Sequence, residues 1–363
     1  MNFDIDENAN QKKKDKFKAQ NNLLIYASIF FFALAIFLLV IYFAIPEKTT
    51  TVSPQPIKTI EKEEQKVEIT PILDDSSNER PLAIMIDTNI GDAKHAGLQD
   101  SYVNYEMIVE GGLTRIMAIY KDKEVNVVGP VRSARHYFLD YALEHDAVYA
   151  HFGWSPYAEE NIKSLKVQNI NGMIETTAFA RDRKLPSPHN VFTSTKKLRD
   201  LFEKLNYSNT STRWKTFTYS LDELDLDKTS QSNLKNASTV SMTYSNSEYR
   251  SYTYDSINKY YLRSKNGTPH IDRKTDTQLH YKNIIIMKVE NKTIDSEGRQ
   301  ELKTTGSGEG YYITNGYALP IKWTKQYRNS KTQYTYLDGE QITLNNGNTF
   351  IQIVPLSSKI EIQ

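Results

Sequence analysis

Cysteine is missing from all 363 residues. Its absence excludes disulfides, thiolate metal sites, a cysteine nucleophile and acylation of a lipoprotein-type cysteine. Histidine is scarce, at 7 residues; no HExxH occurs and no paired histidine spacing emerges, so neither a metal nor a cofactor is indicated. Lys and Arg total 45 against 44 for Asp and Glu, so no global field points toward nucleic acid. Sequence repeats are not evident. The abundant residue is tyrosine, at 24, which favours pleated, half-buried surfaces and tilts the expectation toward β structure. The length accommodates two ordinary domains plus accessories.

One hydrophobic run is long. Leu23 to Ile45 holds 23 residues without a charge. As a helix rising about 1.5 Å per residue it spans roughly 35 Å, enough for a bilayer. A signal peptide would carry a shorter apolar core and end in a small-x-small site. Here the run ends YFAIPEK, with Tyr42 where a small residue belongs, so it reads as an uncleaved anchor. Five lysines lie between Lys12 and Lys18 in the polar tail 1–22, which keeps the N-terminus cytoplasmic and exports the rest. The expected location is the cell membrane, crossed once. Residues 46–80 are rich in Thr, Pro, Glu and Lys and read as an extracytoplasmic tether.

An α/β domain is expected over 81–205. LAIMID (82–87) reads as a strand buried on both faces, ending in Asp87. NYEMIVEGGLTRIMAIY (104–120) reads as a hairpin around Gly111-Gly112, with Val109 facing Ile116, Met107 facing Ala118 and Glu110 meeting Arg115; a helix through 102–110 competes. VNVVG (125–129) is a strand, 132–145 a loop leading into a helix, and AVYAHFG (147–153) another buried strand. Pro156 opens a helix over 156–165, and Ser194 caps one over 195–205. Residues 206–236 are polar, a linker or an ornamented loop. From 237 to 363 alternation punctuated by Asn-Gly and Asp-Gly turns predicts an all-β domain, so the fold class is α+β.

The central stretch 129–153 carries much of the chain's polar chemistry. Arg132 and Arg135 flank Ser133 just before a helix, where free amides and arginine forks together suit a carboxylate or phosphate. Against that stands internal pairing with Asp87, Glu106, Glu110 or Asp140. A catalytic reading would make Glu110 or Asp87 the acid, with His151 and the arginines orienting substrate. Glu106 and Glu110, on one strand face, would lie roughly 13 Å apart at 3.3 Å per residue. Glycoside cleavage wants about 5 to 10 Å. His151 ends a buried strand and His189 lies in the Pro-rich loop after Arg181, where ligand groups often sit, though a lone histidine is more often structural. Two motifs are dismissed. Ser194-Thr-Lys-Lys197 matches S-x-x-K, but its partner motifs are missing and an N-cap explains the serine. Gly306 to Gly310 reads as a turn, since no helix follows.

RPLAIMID, YEMIVEGGLTR, VVGPVRSAR, AVYAHFGWSP and RDRKLPSPHNVFTST follow one another at spacings that resemble the YerB-type family. YYLRSKNGTPHIDRKTDTQL and the GEGYYITNG block with IKWTK resemble its C-terminal β domain. The likeness covers most of 80–357. It implies a two-domain extracytoplasmic protein of Gram-positive type bacteria whose biochemical role is unassigned. The family's polar signature falls here on Asp87, Glu106, Glu110, Arg115, Arg132, Arg135, Asp140, Asp146, His151, Arg181, His189 and Asn190. Members are typically lipid-anchored through a cysteine; here the Leu23–Ile45 run takes over that task. The family has proline where this chain has His136, which supports a helix start near there.

Two functions follow as expectations. One is a non-catalytic envelope protein binding peptidoglycan, an anionic wall polymer or a membrane protein through Arg132, Arg135, Arg115, Ser133, Glu106, Asp140, Arg181, His189 and Asn190. The other is a wall-acting hydrolase or lyase using Glu110, Asp87 and His151. Convergence of Glu110, Arg132, His151 and His189 in one cleft, with a carboxylate not neutralised by arginine, would favour the enzyme.

Overall fold

The computed structural model describes Tyr26, residues 28–42, 70–89 and 95–363. Two compact units divide near residue 67. In the first, Tyr26 and residues 28–42 are helical and expose their large apolar side chains, among them Phe30, Phe31 and Phe37. Among the described residues no helix is long and apolar enough to cross a membrane, and both ends of the expected Leu23–Ile45 span lie outside them. Most of the expected tether also lies outside. Its last part, 70–80, is no tether: Leu73 is buried and the Ile72 amide donates to Asn346 Oδ1 at 2.7 Å. Too few apolar residues occur there for a periodic signal.

The second unit starts with β1 (Leu82–Asp87), β2 (Val103–Ile108) and β3 (Thr114–Tyr120). Helix α1 (Leu139–Glu144), β4 (Val148–His151), α2 (Pro156–Ser164), β5 (Asn169–Asn171) and α3 (Thr195–Arg199) follow. Ser155 caps α2 by accepting from the Ala158 amide, and Ser194 caps α3 by accepting from the Lys197 amide at 3.2 Å, as an N-cap should. The helix expected over 195–205 stops at Arg199 and continues as turns. VNVVG forms only isolated bridges, Ala96 with Gly129 and Val128 with Thr193, because loops rather than strands flank it.

The β2–β3 hairpin forms, but in another register. Glu106 pairs with Ile116 and Met107 with Arg115, three residues away from the expected pairing. The cause is the turn. Glu110 to Gly112 make one 3-10 turn in which Gly111 and Gly112 adopt φ 68 and 71, which only glycine accepts cheaply. Glu110 therefore leaves the sheet, and the expected Glu110–Arg115 cross-strand pair is not made.

The second half gives β6 (Thr239–Thr243), β7 (Tyr249–Asp255), β8 (Tyr260–Lys265), β9 (Asn283–Val289), β10 (Gly306–Thr314), β11 (Tyr317–Lys325), β12 (Gln333–Tyr336), β13 (Thr349–Pro355) and β14 (Ile360–Ile362). Its main strands do not form a separate β body. They join the first half in one eleven-stranded sheet, ordered β12-β11-β10-β9-β13-β2-β3-β1-β4-β5, with short Lys235–Asn236 added on β11. The joint is β13, which runs parallel to both β9 and β2. Every residue of TFIQIVP is buried, as a central strand with parallel neighbours demands. Residues 206–236 pack onto this body, burying Trp214, Phe217 and Leu226, rather than linking two bodies.

Glycines 306–310 belong to β10, not to a turn. A Cβ on Gly310 would lie 1.9 Å from the Ile286 carbonyl, and one on Gly308 would strike the Trp323 indole. The glycines serve close packing. The β10–β11 hairpin turns on Asn315 (φ 49) and Gly316 (φ 81), the pair of positive φ values an Asn-Gly hairpin turn requires. A smaller sheet of β6, β7, β8 and β14, with two short strands, lies across the large one. Tyr252 and Tyr281 from the small sheet meet Phe350 of β13 with ring centroids 6.2 and 4.8 Å apart.

Candidate functional site

β1 ends in Asp87, and residues 129–135 cross beside it. The crossing is fixed by backbone bonds on both sides: the Arg132 amide donates to the Met85 carbonyl, and the Phe152 amide donates to the Arg132 carbonyl, both at 3.0 Å. Arg132 is thereby held with its Nε 3.0 Å from Asp87 Oδ2. His189 Nδ1 reaches the same oxygen at 2.5 Å, bringing the Pro-rich loop to the end of the sheet. Burial pushes the Asp87 carboxyl up, but the Arg132 charge and the His189 hydrogen bond outweigh it, and the net shift is downward.

Next to this triad lies an ion pair. Arg135 places Nε and Nη2 on the two oxygens of Glu110 at 2.5 and 2.7 Å, a fork that suits a carboxylate. Arg115, the register partner of Asp87, instead donates Nη1 to the Ser133 carbonyl at 2.7 Å. Burial, then repulsion from Arg135 and Arg132, outweighs the pull of Glu110 and Asp87 and lowers Arg115 to about 10. Three guanidinium groups thus face two carboxylates. Arg132 is the most open of the three, its side chain 24% exposed, and among the described residues its guanidinium makes no hydrogen bond.

The helix offers this cluster little. α1 has six residues, is preceded by a 3-10 turn at His136–Phe138, and has no side-chain cap. The site rests on the arginines rather than on a helix N-terminus.

Several expected members lie elsewhere. Glu106 is fully buried and points toward the small sheet. It accepts from Arg250 Nε, Arg263 Nη2 and Thr114 Oγ1, each at 2.7 Å, and from Gln352 at 3.2 Å. Burial raises its pKa, but Arg250 and Arg263 bring it to about 2. Asp140 accepts from Arg328 Nε and Thr304 Oγ1, both at 2.6 Å, away from Arg132. Burial still leaves its carboxyl raised. His151 is fully buried; its nitrogens meet the Gly153 carbonyl at 2.8 Å and Asn169 Oδ1 at 3.1 Å, and burial lowers it to about 4. It is a structural histidine. Arg181 donates to Asn190 Oδ1 at 2.7 Å and lies over the Phe152 ring, ordering the loop that carries His189. Asp146 pairs with Arg80 at 3.3 Å. Asp87, Glu106, Glu110 and Asp140 are each held by an arginine. Among the described residues no group of His, Asp or Glu is arranged to hold a metal.

Sequence reasoning missed the partners from the second half, Arg250, Arg263 and Arg328. A local signal existed for two of them: Arg250 and Arg263 occupy inward positions of β7 and β8, in the alternation that buries Tyr252 and Tyr261.

The family described as "Protein of unknown function (DUF3048) N-terminal domain" matches residues 69–208, and "Protein of unknown function (DUF3048) C-terminal domain" matches 240–351. A relative from Bacillus subtilis (strain 168), named "Putative lipoprotein YerB", is 29% identical over 299 residues, 81% of this chain and 84% of that protein. The crystal structure of YerB from Bacillus subtilis superposes with a TM-score of 0.69 at 26% identity, covering 80% of this chain and 99% of that one. The chain belongs to the YerB-type family, built from paired DUF3048 domains.

Proposed function

We propose that this protein is a membrane-tethered extracytoplasmic envelope protein that binds an anionic cell-wall polymer, without catalysis, through Arg132. The carrying observation is the charge cluster at the end of β1: a partly exposed arginine with unused donors, beside two more guanidinium groups and only two carboxylates. The relative's name describes a lipoprotein, which supports a location outside the membrane. Having no cysteine, this chain would hold to the membrane through the apolar run 23–45, with its upstream lysines in the cytoplasm. The arginine partners of all four candidate carboxylates support binding over hydrolysis.

Calorimetric titration of the detergent-solubilised full chain with purified wall teichoic acid tests this. Binding should weaken steeply with salt, because partly exposed charges are screened, and should be lost in Arg132→Ala. Salt-insensitive binding, or binding unchanged in that variant, contradicts the proposal.

A further inference from the structure

A cavity lies apart from the Arg132 cluster and shares none of its residues. A cleft of about 680 Å³ opens between α1, α2 and the hairpin of Asn291–Thr293 and Gln300–Leu302. That volume falls within the range of small-ligand sites. The first half supplies one wall and the second half the other.

The floor spends its charges internally. Arg328 gives Nε to Asp140 and Nη2 to the His136 carbonyl, and Asp140 also accepts from Thr304. At the rim Glu290 and Lys303 pair at 3.6 Å, and Glu301 Oε2 lies 3.0 Å from His136 Nε2. Counting the whole lining, Asp140, Glu290 and Glu301 face Lys292, Lys303 and Arg328, so acid and base balance. A ligand of one net charge gains nothing here that it would not lose to the opposite groups.

The cleft does offer an aromatic wall and uncharged polar groups. Tyr157 is half-buried at α2, its ring centroid 5.8 Å from the His136 ring. Asn291 and Thr305 line the opposite side. An aromatic face beside neutral donors and acceptors matches a sugar ring, which has one apolar face and an equator of hydroxyls. We propose that this cleft binds a neutral oligosaccharide segment, with one ring stacked on Tyr157. The site is independent of the anionic one, and either can fail without the other.

The test uses the full chain in detergent and two neutral probes, chitotetraose and cellotetraose, followed by saturation-transfer NMR and calorimetry. At least one should bind at millimolar concentration or below. Tyr157→Ala should weaken that binding about tenfold, the scale of one aromatic contact, while Tyr157→Phe retains it. Thr305→Trp, which fills the cleft from its rim without touching the core, should abolish it, and Arg132→Ala should leave it unchanged. Binding of neither probe, binding indifferent to both Tyr157→Ala and Thr305→Trp, or loss in Arg132→Ala overturns the assignment.

Discussion

Glu106 Oε2 and Arg263 Nη2 meet at 2.7 Å with both side chains fully buried, one from β2 and the other from β8. With Arg250 on the other carboxylate oxygen, the contact fastens the small sheet to the large one. Two Arg263 nitrogens have no hydrogen-bond partner, and the charge lies against Phe350 at 4.8 Å and Tyr252 at 5.8 Å instead. Removing Glu106 leaves Arg263 uncompensated, while Arg250 keeps Glu248 Oε2 at 2.5 Å. Glu106→Gln should cost about 3–5 kcal/mol in a urea melt. The double variant with Arg263→Met should recover part of that loss; strict additivity would show that the pair is not coupled.

Acid sensitivity should fall into two windows. His95, His145 and His151 are buried and lowered from 6.5 to about 4. The unfolded chain therefore takes up protons first, so stability is full above about 6.5 and declines as pH falls toward 4. His151→Gln should flatten that slope by about 1.4 kcal/mol per pH unit, one proton's worth. Glu106, also depressed, acts lower: its share is present above 4.5 and lost as pH falls through about 2. Urea midpoints measured from pH 8 to pH 3 check the first window, and a flat profile in the wild type would contradict it.

Gly310→Ala should be far worse than Gly267→Ala. The first places a methyl 1.9 Å from the Ile286 carbonyl inside the sheet, while the second meets nothing within 4 Å and suffers only from φ 78. A loss of about 1–2 kcal/mol is expected at Gly267 from left-handed strain. Gly310→Ala should exceed it or prevent β9–β10 pairing altogether, as thermal unfolding would show.

Arg135 and Arg132 should separate stability from binding. Arg135→Ala strips Glu110 of its fork and should cost about 1.5–3 kcal/mol, the worth of hydrogen bonds to a charged group. Arg135→Lys should restore only part, lacking the fork geometry. Arg132, partly open to solvent, should matter less to the melt than to ligand retention. Equal losses of stability in the two variants would count against this division.

A mixed fold with many strands and few helices was legible because apolar runs such as LAIMID and NTFIQIVP are long and bounded by turn residues. The pairing of β13 with β2 was not: a buried strand carries no mark of which neighbour it will take, and these two are far apart in the chain. The hairpin register slipped because the two adjacent glycines draw Glu110 into a three-residue turn closed by Val109 and Leu113, a choice side-chain alternation does not encode. Asp87, Arg132 and His189 were each visible as polar residues at strand ends or loops, and they meet. Glu106 was visible only as an acid within a strand, and its partners lie 144 and 157 residues away. Only the fold distinguishes an acid that is neutralised across two sheets from one that faces solvent.

The most direct measurement is co-sedimentation of the detergent-solubilised full chain with purified sacculi, either native or stripped of their anionic polymers, comparing wild type with Arg132→Ala. Retention on native sacculi that falls on stripping and falls equally in Arg132→Ala is the predicted result. Retention unaffected by either change, or release of soluble wall fragments by the wild type, would contradict the binding account.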